Sequence, residues 1–438
     1  MNCQKTKLLH DNLSVKDGVL YFAGYNTTDL VKKYGTPLML LDENKIRNTM
    51  RTYKVAMEKY FGKGSCPLFA SKALSCVGIY QIAKEEGINT DIVSIGELYT
   101  AIKAGFPMEK AFFHGNAKSD SDIEFAIDNG IGYFIVDTYD ELYAINEIAK
   151  KKGISQKILL RLTPGIDPHT HAAISTGKVD SKFGTAIETG QAMEIVERAI
   201  SLSNINLCGF HCHIGSQIFE IEPFCDAADI MVRFISDVRE KTGYVPPILN
   251  LGGGFGVRYV ESDPIIDYSE NIRRISEHVN SYCQENDIEM PTILMEPGRS
   301  IVADSGMTLY KALSVKEING YKNYVAVDGG MTDNPRYALY GSAYTVLCAN
   351  KMDKENSYEC TIAGRNCESG DLIQENVKIP KPERGDNIAV LVTGAYNYSM
   401  SSNYNRVPRP PVILLGKTER ILINRETPED VSRLDAIL

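Results

Sequence analysis

The sequence predicts an α/β protein: an eight-stranded parallel barrel of the TIM, or (β/α)8, kind joined to a second, all-β domain. From about residue 40 to 300, short β-rich apolar runs alternate with amphipathic stretches long enough to be helices, the pattern of βα units on a parallel sheet. The runs number eight, the count such a barrel needs. Beyond residue 301 the texture changes to β-rich segments divided by polar turns, with little helical periodicity.

The eight runs, in order, are CPLFAS (66–71), TDIVS (90–94), KAFFHG (110–115), GYFIVD (132–137), KILLRL (157–162), LCGFHCHIG (207–215), PILNLGG (247–253) and TILMEPG (292–298). Nearly every one ends on a polar or glycine position: Lys72, Asp91, His114, Arg161, His213, Gly252 to Gly254 and Glu296. A single polar strand end is usually a solvated loop residue. In a barrel, however, these ends converge on the face where such folds place their active sites.

The second domain is expected from YVAVDGG, YTVLCAN, ECTIAG, DNIAVLVTG and PPVILLG. The first 36 residues, with VLYFAG and then TTDLVKKYG closing on glycine, are expected to lend a strand to it. This gives a barrel over 37–301 and a β domain made of 1–36 plus 302–438.

Composition narrows the function. The chain has 438 residues, 43% hydrophobic and 24% charged, and carries a net charge of −9. That balance and the lack of a basic block argue against nucleic acid or an anionic membrane as a partner. Ten scattered cysteines without a CxxC pair read as reduced thiols. No apolar leader or membrane-length run is seen, so a cytoplasmic location is expected.

Lys72, in FASKALS, would emerge at the barrel mouth. A strand-end lysine is usually a solvated charge; a Schiff-base role requires a partly desolvated amine, a phosphate cradle and a partner for a pyridine nitrogen. LNLGGGFG supplies the cradle candidate, since Gly252, Gly253 and Gly254 allow backbone N–H groups to approach a phosphate. It is not a dinucleotide fingerprint, because the third glycine of that motif would fall at Val257, and no phosphate-loop GK[ST] follows. Glu296, in LMEPGRS, is the candidate for holding a ring nitrogen protonated. Arg299, three residues on, suits a substrate carboxylate or a phosphate, although a local ion pair with Glu296 is the plainer reading. In HCHIGSQ, His211 and His213 alternate with Cys208, Phe210 and Cys212, so both histidines are expected on one strand face, with Ser216 near a phosphate. A zinc reading of CGFHCH is disfavoured, because that alternation parts cysteines from histidines and no remote pair completes a tetrahedral set; no metal is expected.

Taken together, FASKALS, DIVSIGEL, FHGNAKSD, HCHIGSQ, LNLGGGFG, LMEPGRS, VDGGMTDNPRYALYG, GRNCESGD and TGAYNYSMSSNYN resemble the fold-type III pyridoxal-phosphate-dependent decarboxylases, in the order and approximate spacing of that family. The resemblance spans nearly the whole chain and is closest to the branch acting on diaminopimelate. It implies pyridoxal 5'-phosphate as cofactor and a homodimer with active sites at the interface. It implies Lys72 as the Schiff-base lysine, His213 as the residue stacking on the ring, and Glu296 at the pyridine nitrogen. Asp91 and Arg161 would be supporting strand-end residues, and Ser216, Gly253, Gly254 and Tyr396 would meet the phosphate. The cofactor set also takes in Pro297, Gly298 and Arg299. Arg299, Arg336, Tyr340, Glu368 and Tyr396 would read the substrate, and Cys367 would protonate the carbanionic intermediate. Cys367 and Glu368 would come from the partner subunit.

The implied reaction is decarboxylation of meso-2,6-diaminopimelate to L-lysine and carbon dioxide, because Arg299 with Arg336 suits a second carboxylate. The alternative is a decarboxylase of another basic amino acid, such as ornithine, lysine or carboxynorspermidine. The chain departs from the family pattern at Leu74, Ile95 and Asn397.

Overall fold

The computed structural model describes residue 4, residues 8–167 and residues 181–438. The chain divides into two compact units, one of Met1–Arg47, Val257–Ile265 and Arg299–Leu438, the other of Asn48–Gly256 and Ile266–Gly298.

The second of these is the barrel. Its strands are β1 (Cys66–Ala70), β2 (Asn89–Ile92), β3 (Ala111–Phe113), β4 (Tyr133–Val136), β5 (Gln156–Thr163), β6 (Ile205–His211), β7 (Ile248–Asn250) and β8 (Thr292–Met295). Each pairs in parallel with the next, and β8 closes on β1 through Leu294↔Cys66 and Met295↔Pro67. Parallel strands covered on both faces read as continuous apolar runs, which is why all eight are visible in the sequence. One interior cluster draws Leu68, Phe112, Ile135, Leu159, Cys208 and Leu294 from six different strands.

The helices between the strands carry their own start and stop signals. Ser119 and Asp122 form a capping box at the head of Asp120–Asp128. Thr138 caps Tyr139–Lys152, which Gly153 ends in the left-handed conformation. In Glu222–Thr242, Phe224, Ala228, Met231, Ile235 and Val238 recur at helical spacing and are buried.

Several strands end earlier than the apolar runs suggest. β6 stops at His211, with a register shift between Leu207 and Gly209, so the strand alternation expected to place His213 beside His211 does not extend to His213.

The other unit is mostly β. Its spine is Gly306–Ile318, antiparallel to Leu38–Asp42, Asn387–Leu391 and Lys322–Val327. Tyr358–Ala363 extends the sheet in parallel from Lys322–Val327, and Val412–Leu415 runs parallel to Leu38–Asp42. VLYFAG does supply a strand to this unit, but not to its large sheet. Val19–Phe22 belongs to a separate three-stranded sheet with Leu13–Lys16 and Tyr25–Asn26, and the strand lent to the large sheet is Leu38–Asp42. The sequence boundary at 37 therefore falls one strand too early. Among the described residues, no helix is long and apolar enough to cross a membrane.

Candidate active site

Lys72 sits in a single 3-10 turn, Ser71–Ala73, directly after β1. The turn is fixed on three sides. Asp91 on β2 accepts the Ser71 N–H at 2.8 Å, Glu97 accepts the Ser71 hydroxyl at 3.1 Å, and the Ala70 N–H donates to Pro297 at 3.1 Å. A Cβ at Gly298 would stand 2.7 Å from that of Ala70, so Pro297–Gly298 packs against the turn only because residue 298 has no side chain. Ser71 and Ala73 are buried while Lys72 is exposed, and no hydrogen bond or ion pair ties its ammonium to the described residues.

Glu296, just past β8, is buried. Its Oε1 accepts from the Asn250 amide at 2.7 Å and its Oε2 from His211 Nε2 at 3.2 Å. His114 Nε2 approaches Oε1 to 3.0 Å but off the hydrogen-bond axis. Burial disfavours charge on Glu296, yet the two histidines outweigh it and hold the carboxyl well below its ordinary range. Burial in turn pushes both imidazoles below their ordinary range, His211 to about 4, against the upward pull of the Glu296 charge. Asp91 moves the opposite way: burial and then the Glu296 charge raise its carboxyl, against the pull of Lys72. Two carboxyls with divergent acidities at one strand-end cluster mark a site equipped to keep one of them ionised.

His213 accepts the Gly253 N–H through Nδ1 at 3.2 Å. Its pKa is depressed first by burial and then by Lys72 and Arg161, so a neutral ring is presented. The glycine turn is obligatory. A Cβ at Gly252, Gly253 or Gly254 would lie 2.4, 2.1 or 2.6 Å from a backbone carbonyl oxygen, and Gly252 and Gly254 have φ of +68° and +128°. Ser216 lies two residues before Ile218, whose N–H donates to Gly254 at 3.0 Å, so its turn runs beside the glycines. Arg161, on β5, stacks over Phe183 at 4.4 Å, with its Nε 3.8 Å from Asp137.

These residues fit a phosphorylated pyridine. The N–H of Gly254 meets no acceptor among the described residues, as a phosphate cradle requires. His114 Nε2 and His211 Nδ1 are buried without hydrogen-bond partners. Each Glu296 oxygen takes one hydrogen bond, which leaves acceptor capacity for a ring N–H. The ligating atoms of His114, His211 and Glu296 also lie within 4.8 Å of one another, a two-histidine, one-carboxylate set that the sequence reading of CGFHCH did not contain.

In the β unit, a second cluster gathers the predicted cations. Arg299 heads the short helix Arg299–Val302 and donates from Nη1 to the Tyr259 hydroxyl at 2.8 Å. Its guanidinium lies 4.8 Å from the Tyr396 ring, and that of Arg336 lies 5.5, 5.8 and 6.0 Å from the rings of Tyr340, Tyr396 and Tyr259. Arg336 donates to Ser342 at 3.2 Å, while its Nε is buried without a partner. Two buried guanidiniums on an aromatic rack have the charge and donor geometry to receive a carboxylate. Asn397, one of the departures from the family pattern, is buried and accepts from the Tyr344 hydroxyl at 3.2 Å. Leu74 is buried too, and Ile95 opens the helix Ile95–Lys103.

Cys367 and Glu368 lie exposed in a loop. The loop is held by buried Asp371, which accepts from the N–H groups of Asn366 (2.7 Å) and Met331 (2.6 Å) and from the Asn366 amide (2.8 Å). Sequence reasoning gave no role to Asn250, Tyr259 or Asp371. Asn250 alone carried a visible signal, as the one polar side chain in the run PILNLGG.

The model for the pyridoxal-dependent decarboxylase, pyridoxal binding domain, matches residues 43–303. The chain is 43% identical over 419 residues to diaminopimelate decarboxylase of Bacillus subtilis, covering 95% of each, and 40% identical over 410 residues to that of Staphylococcus aureus, covering 93% of this chain and 95% of the relative. Among solved structures, diaminopimelate decarboxylase of M. jannaschii in complex with L-lysine superposes with a TM-score of 0.90 at 34% identity, over 98% of each chain.

Proposed function

This chain belongs to the pyridoxal-dependent decarboxylases, and on that premise we propose that Lys72, Glu296, His213 and the glycine turn hold pyridoxal phosphate while Arg299 and Arg336 select the substrate. The protein is a pyridoxal-phosphate-dependent carboxy-lyase that converts meso-2,6-diaminopimelate into L-lysine and carbon dioxide. The observation that most supports the site assignment is Glu296, a buried carboxylate held ionised by its two histidine neighbours beside an obligatory glycine turn.

The cofactor supplies an electron sink for the bond to carbon dioxide, and this works best with a protonated ring. Glu296 would keep that proton at the ring nitrogen, and neutral His213 would meet the ring without adding positive charge. Gly253, Gly254, Ser216 and Tyr396 would take the phosphate, with Pro297 and Gly298 packed on the Lys72 turn and Asp91 and Arg161 supporting the strand ends. The Lys72 amine would be the group that holds the cofactor covalently. Arg299 and Arg336 grip the second carboxylate, which a simple diamino acid lacks, with Tyr340, Tyr396 and Glu368 at the distal end. Cys367 delivers the proton to Cα.

Cys367 and Glu368 act in the site of a partner subunit, so the working form is a homodimer, placed in the cytoplasm and with no nucleic-acid or membrane partner. Parallel assays of meso-diaminopimelate, ornithine and lysine on one preparation test the substrate assignment. Turnover of diaminopimelate far above the other two is expected, and faster turnover of ornithine would overturn it.

A further inference from the structure

We propose that Asn250 is a positioning residue that couples the two ends of the cofactor site, setting the Glu296 carboxylate and the glycine turn with one side chain. The inference rests on the functional reading above and deepens it.

Asn250 is the last residue of β7, and strand register places it beside His211 on β6 and Leu294 on β8. It is fully buried, so it acts through its neighbours. Its Nδ2 donates to Glu296 Oε1 at 2.7 Å, and its Oδ1 accepts the N–H of Gly252 at 2.9 Å. The orientation of the amide is dictated by its partners: a backbone N–H can only donate, and an ionised carboxylate can only accept. Backbone pairing closes the ring, since the Glu296 N–H donates to the Gly252 carbonyl at 2.7 Å. The N–H of the next glycine, Gly253, donates to His213. A single amide therefore sets the direction of the Glu296 oxygens and the first turn of the glycines, whose left-handed backbone at Gly252 needs an acceptor for its N–H. A carboxylate at position 250 would satisfy Gly252 but set a like charge against Glu296, and an alanine would satisfy neither.

The test measures binding of three ligands to the full-length protein after removal of bound cofactor: pyridoxal phosphate, its 1-deaza analogue lacking the ring nitrogen, and pyridoxal lacking the phosphate. Asn250→Asp should weaken pyridoxal phosphate and pyridoxal by about tenfold or more, because the hydrogen bond it removes from Glu296 is charge-assisted. The deaza analogue should lose less than about threefold, since it has no ring nitrogen for Glu296 to meet. Asn250→Ala should weaken all three ligands, with the largest loss for pyridoxal phosphate. The visible absorption of bound pyridoxal phosphate should shift with pH differently in Asn250→Asp than in the unaltered protein. Equal losses for all three ligands in Asn250→Asp, or none, would overturn the coupling and leave the family reading intact. Failure of the unaltered protein to bind pyridoxal phosphate would overturn both.

Discussion

Asp91 accepts the backbone N–H of Ser71 at 2.8 Å, so the residue before Lys72 is pinned to the neighbouring barrel strand. The hydrogen bond is buried, and removing its acceptor strands a backbone donor. Asp91→Ala should destabilise the protein by about 1–3 kcal/mol and slow cofactor uptake at Lys72. Asp91→Asn keeps an acceptor oxygen and should recover most of both. Urea unfolding and the rate of cofactor uptake provide the comparison, and an Asp91→Ala protein as stable and as fast as the unaltered one would contradict it.

A second expectation concerns acid. Burial pushes His211 from 6.5 to about 4, so between those values the unfolded chain binds a proton that the folded chain refuses. The stability tied to a neutral His211 is fully present above pH 6.5 and is lost as pH falls toward 4, on the order of 3 kcal/mol in all. Unfolding free energies of the cofactor-free protein and of His211→Asn, measured from pH 7 to pH 4, should converge by about that amount. Parallel curves would exclude His211 as the source.

The barrel was legible because buried parallel strands leave unbroken apolar runs, and because polar residues mark the strand ends. Lys72, Glu296 and the glycines were singled out that way. What stayed hidden were pairings set by tertiary packing. Asn250 and Glu296 stand 46 residues apart, and only β7–β8 pairing brings them together. Tyr259 lies in VRYVESD, a segment with no periodicity to advertise it. Leu38–Asp42 fell within the barrel bounds of 37–301 without being singled out as a strand, yet it is a fully buried strand that pairs with Gly306–Ile318. That spine was itself missed, because its second half is exposed and carries Lys316 and Glu317.

Tyr259 gives a prediction that the sequence could not. Its hydroxyl accepts from buried Arg299 at 2.8 Å. Tyr259→Phe keeps the ring that faces the guanidinium and removes only the acceptor, so KM for meso-diaminopimelate should rise about tenfold with kcat within about twofold. A fall in kcat at constant KM would place Tyr259 in the chemistry instead.

The loop bearing Cys367 is exposed at that residue and anchored by Asp371. If Cys367 completes a neighbour's site, Lys72→Ala and Cys367→Ala proteins should each be inactive alone. Mixed under subunit exchange, they should regain up to roughly one quarter of normal activity, since half the dimers are then mixed and carry one intact site of two. No recovery in dimers shown to have exchanged would confine each site to one chain.

The most direct measurement is lysine released from meso-diaminopimelate by the purified protein, with and without added pyridoxal phosphate, alongside Lys72→Ala. Stoichiometric lysine and carbon dioxide that depend on the cofactor and vanish in Lys72→Ala are the predicted result. Lysine formation that persists in Lys72→Ala, or its absence from cofactor-saturated unaltered protein, would contradict the account.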